Sequence, residues 1–392
     1  MTGVVVTGVG VVSPFGVGTK AYWSGLASGA CAIRPITVLD TDGFKCRVAG
    51  EVPELFGASV RRSRADRLAL VAAREALADA GLGRAALRDA GLVVGAVGGG
   101  MLEAEAWYWA RARGGADDPP PTAVRSILPS THADTLGHAL GVHGPRETIV
   151  AACSSGAASL ALASDLIRDR RAAVVLAGGA DSLTRICYMG FNSLKLLDPE
   201  PCRPFDRDRR GMSIGEGAAF LVLEDAAHAR ARGVQVLAEL GGYGMTTDAF
   251  HPTSPHPDAE GMIRAMRQAL DAAGAAPGDV AYVNAHGTGT PQNDRIEARA
   301  IRVVFGDDRV LVSATKSMIG HTMAAAGSLE AVATVLAIVN DVVPPTANLA
   351  VPDAEATFDC VPGVAREAPV SCAVSNSFGF GGQNVSLLFR RA

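Results

Sequence analysis

The chain has 392 residues, a formal net charge of -4, 48% hydrophobic and 19% charged residues, with 45 glycines spread along its length, so it is too apolar for a disordered segment and too long for one ordinary core. Seven cysteines, an odd number with no C-x-x-C pair, argue against a disulfide framework and a cysteine zinc site and fit a reducing cytoplasm. The mild acidity gives no reason to expect nucleic acid, and no apolar run reads as a membrane span. In chain order, GVVVTGVGVVSP (3–14) reads as a buried first strand and not a signal peptide, since it has no basic leader and is broken by glycines. Its GVGVVS echoes a dinucleotide fingerprint but lacks the third glycine and a plain following helix. RRSRADR (61–67) is a basic run, EALADAGL (75–82) a helix end, and LVVGAVGGG (92–100) a strand closing on glycines. Two tryptophans and a Pro-rich break mark 98–129; TIVAACSSGAASLALA (148–163) is a strand, a short break and an apolar helix; 172–182 and 217–225 are two closing strands.

The second part repeats that plan. LAELGGYGMTTD (237–248) answers 3–14, QALDAAGA (268–275) answers 75–82, and AYVNAHGTG (281–289) answers 92–100. LVSATKSMIGHTMAAAGSLEAVA (311–333) answers 148–163, and the segments 370–382 and 383–391 are again two closing strands. The chain thus reads as two α/β halves with largely parallel sheets, 1–233 with the cysteine and 234–392 with two histidines, dividing near Gly233. The helices from 154 and 322 are apolar nearly all round, which places them buried against each other between two sheets.

Cys153 opens the first of these helices. A helix start leaves unpaired N–H groups and the positive end of the dipole, which favour thiolate over thiol and leave donors for an oxyanion. Cys31, Cys46, Cys187, Cys202, Cys360 and Cys372 read as packing. His286 and His321 fall in glycine-rich turns on the same repeated scaffold, and Lys316 precedes His321 in its turn. A lone histidine is more often structural, and no H-x-x-H or carboxylate cluster accompanies these two, so no metal site is expected.

VAACSSGAAS, NAHGTGTPQND, KSMIGHTMAAAGSLE and NSFGFGGQN, in that order, resemble the β-ketoacyl-ACP synthases of the elongating type within the thiolase-like superfamily, over essentially the whole chain. The resemblance implies a thiolase-like duplicated fold, layered αβαβα, and decarboxylative Claisen condensation of a malonyl thioester with a cysteine-bound acyl chain in type II fatty-acid or polyketide/polyene synthesis. It makes Cys153 the nucleophile, His286 and His321 the groups that support decarboxylation, and Lys316 and Glu330 their supporting pair. It also assigns the backbone N–H groups of Cys153 and Phe380 to an oxyanion hole, and Phe378, Phe380 and Asp248 to gating loops. No cofactor is implied beyond the carrier's phosphopantetheine. The partners implied are an acyl carrier protein and a second subunit, either a copy or a chain-length-factor homologue. A non-catalytic chain-length factor would lack Cys153, and initiating synthases or thiolases would not carry both histidines.

The family segment matching 98–129 lines the acyl pocket and the dimer face, which assigns Met101 and Leu102 to the pocket and Trp107 to the subunit contact. An acidic carrier needs basic residues near the tunnel; Lys45, Arg61, Arg62, Arg64 and Arg67 are the candidates, with RPFDRDRRG (203–211) as a second cluster.

Overall fold

A computed structural model describes residues 3–53, 62–114, 125–306 and 310–392. The first half contributes strands β1 (Val4–Ser13), β2 (Gly91–Gly95), β3 (Arg146–Ile149), β4 (Val174–Asp181) and β5 (Gly217–Asp225). The second contributes β6 (Ala238–Thr247), β7 (Tyr282–Asn284), β8 (Leu311–Ser313), β9 (Cys372–Gly379) and β10 (Gln383–Arg390). Their hydrogen-bonded order is β8-β7-β9-β10-β6-β1-β5-β4-β2-β3. Read outward from the centre, β1-β5-β4-β2-β3 and β6-β10-β9-β7-β8 are the same sequence of two antiparallel and then two parallel pairings, so the sheets are not largely parallel as the alternation of strands and helices suggests: the last strand of each half inserts antiparallel beside the first. The halves meet where Val5 and Val6 pair antiparallel with Glu239 and Ala238.

Glycines set the layer spacing. The outer helices α1 (Arg64–Asp79) and α5 (Glu260–Ala273) lie so close to β1 and β6 that a Cβ on Gly10 would sit 2.0 Å from the Ala72 carbonyl oxygen, and one on Gly244 2.0 Å from that of Ala265. This backbone contact is a physical reason for the glycine-rich run near the N-terminus. The central helices α3 (Ser155–Arg168) and α7 (Ala326–Asn340) cross in the same way: a Cβ on Gly156 would lie 2.6 Å from the Ala324 oxygen, and one on Gly327 2.7 Å from the Ala157 nitrogen. Each packs on strands of both halves, giving the αβαβα layering. The stretch Met323–Asn340 does reach 18 residues of membrane-like composition, contrary to the sequence expectation, but 89% of it is buried in the protein.

Each central helix is entered through a 3-10 turn, Ala152–Ser154 or Met323–Ala325, whose first residue is left-handed: φ is 48° at Ala152 and 56° at Met323. Strain of this kind at a non-glycine residue is sustained only when the surroundings over-determine it. Here the duplicated turns bring Cys153 and His321 to one place. Asp181, at the end of β4, ties the second of these turns to the loop after β2 by accepting from the N–H groups of Gly98 (2.7 Å), Gly99 (2.8 Å) and Ala324 (2.9 Å).

Candidate active site

A cavity of about 260 Å3 opens between the halves and is lined by Cys153, His286, His321, Phe378, Phe380 and Asp248. Phe191, Leu196 and Met212 form an apolar wall, and Thr253, Ser254 and Gln292 lie along it as polar lining. The sequence-assigned nucleophile, both histidines and all three gating residues therefore converge. Lys316 and Glu330 lie buried behind them, joined by a hydrogen-bonded ion pair.

The hydrogen bonds settle what each imidazole presents. The Lys316 ammonium donates to His286 Nδ1 (3.1 Å), to the His286 carbonyl (2.7 Å) and to Glu330. The Met323 N–H donates to His321 Nδ1 (3.1 Å). With both Nδ1 atoms accepting, the proton of each neutral ring sits on Nε2. His321 Nε2 is buried without a protein partner. Burial first, then the Lys316 charge, holds both histidines well below the ordinary range, with His321 adding to the effect on His286. The rings stand edge to face, centroids 5.4 Å apart. Two neutral N–H donors in one dry cavity suit a carbonyl oxygen that gains negative charge.

The thiol departs from the expectation drawn from sequence. Cys153 lies in the 3-10 turn one residue ahead of α3's cap, and burial pushes its thiol up, outweighing Lys316 and the N–H groups of Phe380 and Cys153, which act in the opposite direction. Burial thus works against the thiolate that the helix start favours. The same two N–H groups lie beside Sγ, the side from which donors can reach the carbonyl oxygen of an acyl group bound there. Phe380 covers the thiol side of the cavity and packs against Phe191, ring centroids 5.6 Å apart. Asp248 ties the two loops together: its carboxylate accepts from Asn384 Nδ2 (2.7 Å) and the His256 N–H (3.0 Å), and its own N–H donates to the Gly382 carbonyl (2.8 Å).

The remaining assigned residues lie apart from this cavity. Met101 and Leu102, half-buried at the start of helix α2 (Met101–Ala112), do not line this cavity; the carboxylates of that helix anchor it elsewhere. Trp107 is half-buried on the same helix. Arg64 is unavailable to a carrier, because its guanidinium is buried against Glu216 (2.6 Å) and the Val52 carbonyl (2.8 Å). Arg67 is half-buried, Arg62, Lys45 and Arg47 are exposed, and Arg61 lies outside the described residues. In the second basic cluster Arg209 is internal, donating to Asp353 (2.5 Å) and to the Pro291 carbonyl (2.9 Å), while Arg203, Arg207 and Arg210 pair with neighbouring acids.

Glu297, which sequence reading passed over, fixes the first histidine. Its carboxylate accepts from the N–H groups of His286 and Gly287, both at 2.8 Å, from helix α6 (Pro291–Phe305). The only sequence signal was a carboxylate one helical face along from NAHGTGTPQND. Burial pushes Glu297 up to about 7 from an ordinary 4.5. A carboxyl raised on folding adds stability that is complete below about 4.5 and is lost as pH rises through about 7. Glu297→Gln is therefore expected to flatten the pH dependence of urea unfolding between pH 5 and 8 by about 2.5 kcal/mol relative to wild type, and to slow malonyl decarboxylation, since an amide cannot accept both N–H groups. Parallel curves for the two proteins would mean that Glu297 titrates as an ordinary carboxylate.

The model of the β-ketoacyl synthase N-terminal domain matches residues 1–229, and that of the C-terminal domain matches residues 237–350. A 3-oxoacyl-[acyl-carrier-protein] synthase 2 of Synechocystis sp. is 39% identical over 99% of this chain and 98% of its own. The oxytetracycline polyketide putative β-ketoacyl synthase 1 of Streptomyces rimosus is 42% identical over 97% and 95%. Among solved structures, the ishigamide ketosynthase/chain length factor superposes with a TM-score of 0.96 at 37% identity, covering all of this chain and 99% of that one.

Proposed function

Because the chain belongs to the β-ketoacyl synthase family, we propose that Cys153, His286 and His321 carry its decarboxylative condensation of carrier-bound malonyl and acyl groups. The observation that bears most weight is the convergence of one thiol, two backbone N–H groups and two Nε2–H donors on a single cavity.

In the first step Cys153 Sγ bonds to the carbonyl carbon of an acyl thioester. The C–S bond to the carrier breaks, and the thiol proton leaves with the carrier's thiol, so no resting thiolate and no net base are required. The tetrahedral oxyanion is held by the N–H groups of Cys153 and Phe380. A malonyl thioester then places its carbonyl oxygen between the two Nε2–H groups. Its carboxylate leaves as CO2, the electron pair passes into an enolate that the histidines stabilise, and the enolate carbon attacks the acyl-cysteine. The Cys153 thiolate departs, regains a proton, and a β-ketoacyl thioester is released. These steps need no metal or organic cofactor.

The acyl and malonyl donors are carried by an acyl carrier protein in the cytoplasm, the arm entering past Thr288 and Thr290, whose hydroxyls line the cavity 2.9 Å apart. A homologous second subunit, either a copy or a chain-length-factor relative, covers the exposed apolar residues Tyr108, Trp109, Ile186 and Met189. Purified protein incubated with acyl-carrier and malonyl-carrier substrates is expected to yield the β-ketoacyl carrier, read by intact mass. Activity alone assigns a homodimer, and activity only with a cysteine-lacking homologue assigns the heterodimer. CO2 release without condensation in either format would overturn the acyl-transfer role.

A further inference from the structure

We infer that Glu105 is a positioning residue for the acyl cavity, acting through the helix that carries Phe191; this rests on the condensation reading above. Helix α4 (Arg185–Ser193) begins with N–H groups that need acceptors. Two are met locally, Cys187 N–H by the Thr184 hydroxyl (3.3 Å) and Tyr188 N–H by the Thr184 carbonyl (3.1 Å). The other two, Arg185 N–H (2.9 Å) and Ile186 N–H (2.7 Å), both donate to the carboxylate of Glu105, eighty residues earlier in the chain. A carboxylate there also meets the positive end of the helix dipole.

The remaining contacts of α4 are few and centre on one apolar cluster. Only Tyr188 and Phe191 are buried on it, while Ile186 and Met189 are 58% and 47% exposed. Tyr188 is held at the Cys46 carbonyl (2.5 Å), and about that anchor the N-terminus of α4 is fixed by the Glu105 clamp together with the Arg185 guanidinium, which donates to the Asp40 carbonyl (2.9 Å) and lies over the Phe44 ring. Phe191, on the same helix, forms cavity wall and faces the Phe380 ring. Glu105 in turn sits on α2, which has no fully buried side chain and is itself strapped by Glu103, the acceptor for the Arg64 N–H at the start of α1 (2.6 Å). Helix α2 is thus suspended by carboxylates between the starts of two other helices. The segment that carries Met101 and Leu102 thus reaches this cavity through Glu105 and Phe191.

The test compares wild type, Glu105→Ala, Glu105→Gln, Phe191→Ala and the Glu105→Ala/Phe191→Ala double variant. The substrates are one short and one long saturated acyl group on the carrier, with malonyl decarboxylation measured separately. Glu105→Ala is expected to change the long-to-short ratio of kcat/KM by about tenfold, the discrimination one methylene commands in an apolar pocket, while decarboxylation stays within about twofold of wild type. Glu105→Gln, which keeps one acceptor oxygen, is expected to fall between them and serves where the alanine variant does not fold. In the Phe191→Ala background the Glu105→Ala effect on the ratio should vanish, because the wall it positions is gone. An unchanged ratio, equal losses on both substrates, or the same shift without Phe191 would overturn the positioning role. A wild type that fails to condense either substrate would instead overturn the condensation reading itself.

Discussion

Cys153→Ala is expected to form no acyl-enzyme and to lose condensation by on the order of 10^4-fold or more, the scale seen when a catalytic nucleophile is removed. No other cysteine is placed to substitute. Cys187 and Cys372 are pushed up to about 11 and Cys202 and Cys360 to about 12 by burial, and none of them lines the cavity. Cys31 is exposed but lies at the Ser317 carbonyl, away from the histidines' reacting nitrogens. Cys153→Gln is expected to separate the two half-reactions. Its amide oxygen can accept from the N–H groups of residue 153 and Phe380 as an acylated cysteine would, so malonyl decarboxylation should persist or rise while condensation stays absent. Intact mass after incubation with acyl carrier reads the first half-reaction, and CO2 release reads the second. A stoichiometric acyl adduct on Cys153→Ala would remove Cys153 from the role of nucleophile, and a folded Cys153→Gln that releases no CO2 would remove the histidines from decarboxylation.

What could be read from the sequence was whatever the chain writes locally and writes twice. Strand-glycine and helix-stop signals recur in the same order in both halves, and the pairings β1-β5-β4-β2-β3 and β6-β10-β9-β7-β8 follow from that repetition. Cys153 and His321 were legible because each lies in a short break between a strand and a small-residue helix. The electrostatics were not legible, because they depend on distant partners. Arg64 reads as one more surface arginine in RRSRADR until Glu216, 152 residues later, buries it. The thiol reads as activated by its helix start until the surrounding apolar wall is known, and desolvation then dominates. The wall itself, Phe191, Leu196 and Met212, carries no local pattern that distinguishes it from core. Asp181 joins the Gly98–Gly99 loop to the turn after His321 across 143 residues, a contact that only the layered fold creates.

The Lys316 ammonium binds three groups at once, so Lys316→Met is expected to damage stability and catalysis by separable routes. Glu330 is 1% exposed and already pushed up to about 7 by burial, with Lys316 the main influence opposing that rise. Without the ammonium its pKa climbs further. A carboxyl raised in the folded state gives stability that is complete at low pH and lost as pH rises through the folded pKa, so the gap between wild type and Lys316→Met should be small near pH 5 and widen towards pH 8. There it is expected to reach about 1–2 kcal/mol, since wild-type Glu330 already titrates near 7 and one proton is worth about 1.4 kcal/mol per pH unit above that. Adding Glu330→Gln removes the stranded carboxyl and should restore most of that stability at pH 8. Catalysis should not return with it. His286 Nδ1 has lost the donor that keeps the proton on Nε2, and the Cys153 thiol has lost the first of the influences that counter burial. Both decarboxylation and cysteine acylation are therefore expected to remain about 10^2–10^3-fold below wild type in the double variant, the scale of losing one preorganised electrostatic group. Urea unfolding at the two pH values reads the first route, and single-turnover CO2 release with acyl transfer reads the second. A double variant that regains condensation along with its stability would reduce Lys316 to a counter-ion for Glu330 and leave the tautomer of His286 to be fixed by something else.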